Sequence, residues 1–275
     1  MPAELRGLAW QHQRTVYAQL MQCAWDTLRT FSQNHKQLQG SPGAVAVLHT
    51  HSRQLAFHPH VHVVMPAAAL DADQGLWRTL RKCAKDGSGG GYLFNHKALA
   101  KVFRGKFLAA LVEAGLTLPV DLPEKWVVDC KSVGNGHKAL VYLGRYLYRG
   151  VIAERDILKC ENGQVTYRFR DSETRKMMLR TVSGAIFLWL VLQHVLPKGF
   201  RRSRNFGFLH PNSKRMISLL KLLVFKQAAA PPTPPTPRPQ LLCTCCGSPM
   251  VIVRRRILPS IAEPPMPELQ VNLST

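Results

Sequence analysis

The sequence predicts an α+β fold, because helical segments occur together with two runs expected to pair as antiparallel strands, in a chain that has enough apolar residues to build a core. Ala44 to His49 and His60 to Met65 are β-rich runs joined by a polar connection, and they predict neighbouring antiparallel strands. Apolar residues at near-helical spacing predict a helix from about Glu4 to Gln37 and a basic amphipathic helix from about His96 to Ala114. The 275 residues are 46% hydrophobic, which suits one main domain.

The second half of the chain predicts further elements and a domain boundary. Trp126–Asp129 and Val165–Arg170 are strand candidates that bracket a helix from about Lys138 to Arg149, and Ala185–Leu192 is typical of a buried helix. The Ala- and Pro-rich segment 228–240 predicts an extended linker. We therefore expect a main domain of residues 1–227, the linker 228–240, and a basic, cysteine-containing, poorly ordered tail of residues 241–275.

The charge of the chain points to a polyanionic partner. Lys and Arg number 37 against 16 Asp and Glu, a formal net charge of +21, which favours nucleic acid. The seven cysteines are mostly isolated and no secretory leader is evident, which predicts a cytoplasmic protein. Its longest apolar run is too short to cross a bilayer, so no membrane partner is expected.

Histidines recur along the second predicted strand, in His58-Pro59-His60-Val61-His62. Alternate side chains of a strand share a face, so the imidazoles of His60 and His62 point the same way and form a chelating pair. Because Pro59 cannot donate to a strand ladder, the strand is expected to begin near His60. The candidates for a third ligand are His58, at the mouth of the strand, and His49 and His51 on the neighbouring strand.

A His-x-His pair is also common in half-exposed strands and in structural zinc sites. Histidine nitrogen suits manganese, zinc or nickel, and a mixed site with water and phosphate oxygens would admit magnesium. The pair alone therefore leaves open both the role of the site and its metal.

The predicted helix from about Lys138 to Arg149 carries two tyrosines, Tyr142 and Tyr146, that fall on one side of a helical wheel, opposite an apolar stripe. The cations on or beside that side are Lys138, Arg145 and Arg149. An ordinary phenol has a pKa of about 10, so its attack on phosphorus needs nearby cations and a metal. Two tyrosines one turn apart suit strand transfer with two covalent ends, although this spacing also occurs on the rim of ordinary core helices.

Taken together, His60-Val61-His62 followed by Tyr142-Leu143-Gly144-Arg145-Tyr146 resembles the two-tyrosine HUH transposases of rolling-circle insertion sequences, relatives of replication initiators and relaxases. The likeness covers roughly residues 2–225. Further segments similar to that family are Ala46–Thr50, His58–Val64, His194–Phe200 and Phe206–Leu209.

The resemblance implies an antiparallel sheet that carries the histidines and packs against helices, one of which bears the tyrosine pair. It implies that His60 and His62 bind a divalent metal, magnesium or manganese, and that Tyr142 and Tyr146 are the nucleophiles. The expected function is a metal-dependent transposase that cleaves and rejoins single-stranded DNA through a 5'-phosphotyrosine intermediate in rolling-circle transposition.

The resemblance also implies which cations bind the single-stranded DNA. Lys138, Arg145 and Arg149 belong to the tyrosine helix, while Lys198 and Arg201 belong to a basic segment that would follow the phosphate backbone. The sequence predicts no particular oligomeric state.

The chain departs from the family pattern in three places. Members usually carry a Cys- and His-rich zinc module and a first strand before the segment that corresponds to Pro2–Arg6, so the catalytic domain is expected to be truncated at its N-terminus. Tyr148 stands where the family typically has a histidine, and Cys243–Gly247 resembles half of a zinc knuckle.

These departures support an alternative function, a non-catalytic DNA-binding remnant of such a transposase. A third candidate function is a phosphodiesterase or nuclease that uses the histidines alone and releases free ends.

Overall fold

The computed structural model describes residues 1–52, 54–80, 93–133, 136–148, 151–171, 174–224 and 242–250. The chain divides into two compact units, Met1–Ala228 and Ala229–Thr275. In the first unit the described helices are α1 (Arg6–Gln11), α2 (Gln13–Asn34), α3 (His96–Glu113), α4 (His137–Tyr148), α5 (Gly184–Leu192) and α6 (Lys214–Val224). The described strands are β1 (Gly43–His51), β2 (Phe57–Val64), β3 (Ala68–Asp71), β4 (Leu76–Thr79), β5 (Ile157–Glu161), β6 (Gln164–Arg170), β7 (Met177–Ser183) and β8 (Ser203–Gly207).

The described part of the second unit, residues 242–250, is a tight turn. Leu242 forms a β-bridge with Pro249, and the Gly247 amide donates to the carbonyl of Cys243 at 2.9 Å. The predicted linker and most of the predicted tail lie outside the described residues, so the domain boundaries stay a prediction.

Three antiparallel strands in the order β2-β1-β8 form the sheet that carries the histidines. β1 and β2 pair from Val45 opposite Val64 to His49 opposite His60, which confirms the predicted strand pair. On its other edge β1 pairs with β8, where Ala46 lies opposite Arg204. The described chain therefore has the α+β class that the sequence predicts.

One face of this sheet packs on helices. Its apolar residues are Ala46 and Leu48 of β1 and Val61 and Val63 of β2, which join a core cluster with α1, α2 and α3. Phe107 and Leu111 bring the basic helix α3 into this core and are fully buried, a burial that stabilises by about 1.5–3 kcal/mol for each side chain. Because strand side chains alternate, the histidines of β1 and β2 lie on the opposite face.

The described residues of the first unit also form two smaller sheets. β3 and β4 form a hairpin, and β5, β6 and β7 form an antiparallel meander. Tyr167 of β6 is fully buried against Phe187 of α5. α5 follows β7 directly, and the Ser183 hydroxyl caps it by accepting from the Ile186 amide at 3.4 Å.

Four predictions of local structure need correction. The N-terminal helix is interrupted at His12, whose φ of −122° and ψ of 44° separate α1 from α2. Trp126–Asp129 is not a strand, because the Trp126 indole donates to the Pro123 carbonyl and its ring packs on Phe103 and Phe107 instead. α5 is a helix but not a buried one, since Leu188 and Trp189 are both 57% exposed.

The fourth correction concerns the start of the histidine strand. β2 begins at Phe57, not near His60, and the register between β1 and β2 shifts between His49 and His51. At this irregularity two residues of β2, one of them Pro59, lie opposite one residue of β1. A β-bulge of this kind tolerates proline, which has no backbone N–H to donate to the neighbouring strand.

Candidate metal centre

Three histidines from two paired strands converge on one face of the sheet. The register places His49 of β1 opposite His60 of β2 and Val47 opposite His62, so His49, His60 and His62 share a face. One ring nitrogen from each lies within 4.8 Å of those of the other two. The ring centroids are separated by 4.1 Å for His49–His62, 4.9 Å for His60–His62 and 5.2 Å for His49–His60. We call these three residues the histidine cluster.

Two more imidazoles extend the cluster toward the end of β1. The ring of His51 lies 6.3 Å from that of His49 and 5.3 Å from that of His194, which follows α5. His194 is buried, and its Nε2 donates to the carbonyl of Leu55 at 3.0 Å. Sequence reasoning assigned no role to His194, and its place within a family-like segment was the only signal.

The hydrogen bonds of His60 and His58 fix which ring nitrogens can bind a metal. The His60 Nδ1 lies 2.7 Å from the His58 carbonyl, which can only accept, so Nδ1 carries the proton and Nε2 keeps its lone pair. The Arg6 guanidinium donates to the His58 Nδ1 at 3.0 Å. In a neutral His58 the proton is then on Nε2, so neither ring nitrogen offers a lone pair to a metal.

His49 is therefore better suited than His58 to be the third ligand. His49 was one of the candidates that the sequence left open, and the role of His58 stays a prediction that its contact with Arg6 disfavours.

Burial keeps the imidazoles of this region neutral. Burial is the main cause, and together with the charges of neighbouring groups it lowers the pKa of His51, His58 and His62 to about 4. Burial lowers the pKa of His49 to about 2, with the charges of His62, His60, His51 and Arg202 as additional causes. The pKa of His60 is lowered by the same main cause. A neutral imidazole is the form that binds a metal, so these ligands need not lose a proton at neutral pH.

The donor set of the cluster fits a divalent transition metal. Three nitrogen ligands suit Mn²⁺ and Zn²⁺, whereas Mg²⁺ prefers oxygen and would need water or phosphate to complete its coordination. Arg202, just before β8, places a positive charge beside His49, His51 and His194. A site with this charge can accept an anionic oxygen next to the metal.

The helix α4, which contains the tyrosine pair, runs beside the histidine strand. Its backbone approaches β2 to within 8 Å between Cα atoms, and its Leu143 is buried. The side chains of Lys138, Tyr142, Arg145 and Tyr146, and all of Arg149, lie outside the described residues. The predicted roles of these five residues therefore stay predictions.

Lys198 and Arg201 lie in the loop between α5 and β8, shortly after His194. Both are exposed. The Arg14 guanidinium donates to the Lys198 carbonyl, which ties this loop to the start of α2. The predicted DNA contacts of Lys198 and Arg201 stay predictions.

Comparison with known proteins shows the family to which the chain belongs. The family model described as "Putative transposase" (Y2_Tnp) matches residues 43–216, more than half of the chain. The chain belongs to this transposase family. The matched segment of the transposase family begins with β1 and ends in α6, so it includes the histidine cluster, α4 and His194.

Two curated relatives carry transposase names. The chain is 31% identical over 234 residues to "Putative transposase y4qJ" of Sinorhizobium fredii, an alignment that covers 76% of this chain and 56% of the relative. It is 30% identical over 189 residues to the transposase for insertion sequence element IS801 of Pseudomonas savastanoi pv. phaseolicola, covering 61% and 43%. The chain thus spans about half the length of these relatives. No solved structure matches it.

No helix in the described part of the chain has the length and apolar character that a bilayer crossing needs.

Proposed function

We propose that this chain is a metal-dependent transposase domain that cleaves and rejoins single-stranded DNA through Tyr142 or Tyr146, in the manner of a two-tyrosine HUH enzyme. The observation that carries the proposal is the convergence of His49, His60 and His62 within 4.8 Å, two of them on β2, the strand beside which α4 runs. Membership in a transposase family supports DNA as the substrate.

The proposed step exchanges one phosphodiester for another. The Tyr142 or Tyr146 oxygen, after losing its proton, attacks the scissile phosphorus, a tyrosine–phosphorus bond forms, and the bond from phosphorus to the 3' oxygen breaks. The departing oxygen takes up a proton and becomes a free 3'-hydroxyl, while the 5' end stays on the protein. Because the bond type is conserved, the reverse attack by a 3'-hydroxyl can rejoin strands without external energy.

The residues of the chain have separate tasks in this step. His49, His60 and His62 hold the divalent metal, which when bound neutralises the charge of the scissile phosphate. The His58 carbonyl orients His60 through the Nδ1 proton, and Arg6 holds His58 in turn. Arg202 supplies a further positive charge for the phosphate. Lys138, Arg145 and Arg149 favour the phenolate, and Lys198 and Arg201 bind the DNA backbone.

A covalent-adduct assay tests the proposal. The chain is mixed with labelled single-stranded DNA and Mn²⁺, and the products are separated under denaturing conditions. We expect a slower band that forms only with divalent metal and disappears when Tyr142 and Tyr146 are both changed to Phe. The matched control is Tyr148→Phe on the same helix, which should still form the band.

The competing functions give different results in the same assay. A persistent band in the double variant would show that another residue is the nucleophile. Salt-sensitive DNA binding without cleavage under any metal would indicate the non-catalytic remnant. Cleavage that leaves free 5' ends, with no band, would indicate a hydrolytic nuclease.

A further inference from the structure

Two exposed tryptophans lie against each other at the surface of the first unit. Trp189 of α5 is 57% exposed and Trp10 of α1 is 38% exposed. Their ring centroids are 5.3 Å apart in an edge-on arrangement. Tryptophan is usually largely buried, so two adjacent exposed indoles call for a ligand or a partner.

A series of ring contacts connects these indoles to the histidines. Trp10 contacts Phe57 edge-on at 5.4 Å, and Phe57 stacks on His194 at 6.4 Å. His194 in turn contacts His51, which lies beside His49 of the histidine cluster. Four successive ring contacts therefore lead from Trp10 to His49 of the histidine cluster.

The segments that carry the two indoles are basic and lack acidic residues. The sequence has no Asp or Glu from Leu5 to Trp25 or from Gly184 to Asn212. Arg14 follows Trp10 by four residues and holds the loop that contains the exposed Lys198. Such a surface is complementary to a polyanion, whereas a protein-binding surface with this much positive charge would need an unusually acidic partner.

We propose that Trp10 and Trp189 form a stacking platform for unpaired bases, which guides single-stranded DNA across α1 and α5 to the histidine cluster. The choice of DNA rests on the proposed function, whereas the platform itself rests on the exposed indoles and on the net positive charge of the segments that carry them. Every base has a π face, so stacking is tolerant of sequence. A duplex keeps these faces inside its own stack, so the platform selects single strands over duplexes.

Binding of a short oligothymidylate tests the platform. The full chain is titrated, with a chelator present so that no cleavage occurs, against a fluorescent oligothymidylate of about ten nucleotides and against a duplex of the same length. Trp189→Ala should weaken binding of the single strand by roughly five- to 150-fold, the usual range for loss of one stacked base. It should leave the affinity for the duplex unchanged.

Two further variants separate stacking from general damage. Leu192→Ala removes an apolar side chain of the same helix that is 58% exposed, and it should bind oligothymidylate like the unchanged chain. Trp189→Phe keeps an aromatic face and should recover most of the affinity that Trp189→Ala loses. The thermal unfolding midpoint of each variant shows whether the fold is intact.

Three results would overturn the platform. Trp189→Ala could leave single-strand affinity unchanged, or weaken single strand and duplex equally, and either result would mean that no base stacks on this indole. If Trp189→Ala instead alters only the sedimentation of the free chain, the exposed face binds a second copy.

Different results would refute the platform and the proposed function. Normal adducts together with normal oligothymidylate binding by Trp189→Ala would refute the platform alone. Loss of single-strand binding in Trp189→Ala, in a chain that forms no adduct at all, would refute the proposed chemistry alone.

Discussion

Acid should destabilise the metal-free protein through the histidines around the candidate metal centre. The pKa values of His51, His58 and His62 fall from 6.5 to about 4 in the folded chain, chiefly because burial disfavours their charged forms. Between these two values the unfolded chain binds protons that the folded chain does not. The free energy of unfolding therefore falls as the pH drops from 6.5 to 4. Below pH 4 the contribution of these histidines is lost completely.

The size of the effect follows from these pKa changes. A tenfold change in proton affinity is worth about 1.4 kcal/mol. A fully buried group whose pKa falls from 6.5 to about 4 would therefore contribute about 3 kcal/mol. His51, His58 and His62 are only half-buried, so solvent screening reduces the contribution to about 1 kcal/mol each. A combined loss of about 3 kcal/mol is a large part of the typical stability of 5–15 kcal/mol for a folded domain.

Urea unfolding at a series of pH values between 4 and 7, with a chelator present, measures this loss. We expect the midpoint to fall most steeply between 6.5 and 4 and expect His62→Gln to flatten that slope. The control His210→Gln changes an exposed histidine in the turn after β8 and should leave the slope as it is. A midpoint that stays constant over this range would refute the reasoning, because it would mean that the folded imidazoles take up protons freely.

Three other predictions follow from the site and the fold. His49→Ala should weaken Mn²⁺ binding, measured by calorimetry, by more than about tenfold, because losing a residue that only orients a ligand already costs about that much. His58→Ala should weaken it less, and the reverse order would make His58 the third ligand. Gly207 has a φ of +61° and packs against Pro42 and Trp25, so Gly207→Ala should lower the unfolding free energy by more than about 1–3 kcal/mol. Gly105→Ala, in α3 with open space around it, should instead raise it by about 0.5–1 kcal/mol, and equal effects at the two positions would contradict the structure. Lys198→Ala should reduce the slope of log affinity against log salt for single-stranded DNA by about 0.7, whereas an unchanged slope would show that Lys198 binds no phosphate.

The sequence predicted the parts of the site that depend on local periodicity. Strand alternation is a property of a few neighbouring residues, so the shared face of His60 and His62 could be predicted. The basic helix α3 and the strand pair β1–β2 were predicted for the same reason. The choice of His49 over His58 could not be predicted, because it depends on the inter-strand register and on Arg6, 52 residues away from His58.

The errors arose where tertiary contacts override a local pattern. Trp126–Asp129 has strand-like composition, but the Trp126 ring packs on α3 and its indole N–H bonds the Pro123 carbonyl. The apolar run Ala185–Leu192 predicted a buried helix because composition alone does not show which face has a partner. In the structure only Phe187 of α5 is buried, and Trp189 of the same helix is exposed.

Mass spectrometry of the covalent adduct tests the central claim most directly. Trypsin cuts after Lys138, Arg145 and Arg149, so it separates Tyr142, on the peptide 139–145, from Tyr146, on the peptide 146–149. The second peptide also contains Tyr148, and its fragmentation distinguishes Tyr146 from Tyr148. After nuclease trimming of the bound DNA, we predict a nucleotide mass on one or both of these peptides, and only when Mn²⁺ is present. A nucleotide on Tyr148 or on any other peptide, or on Tyr142 or Tyr146 in the absence of metal or in a variant that lacks His49, His60 and His62, would contradict it.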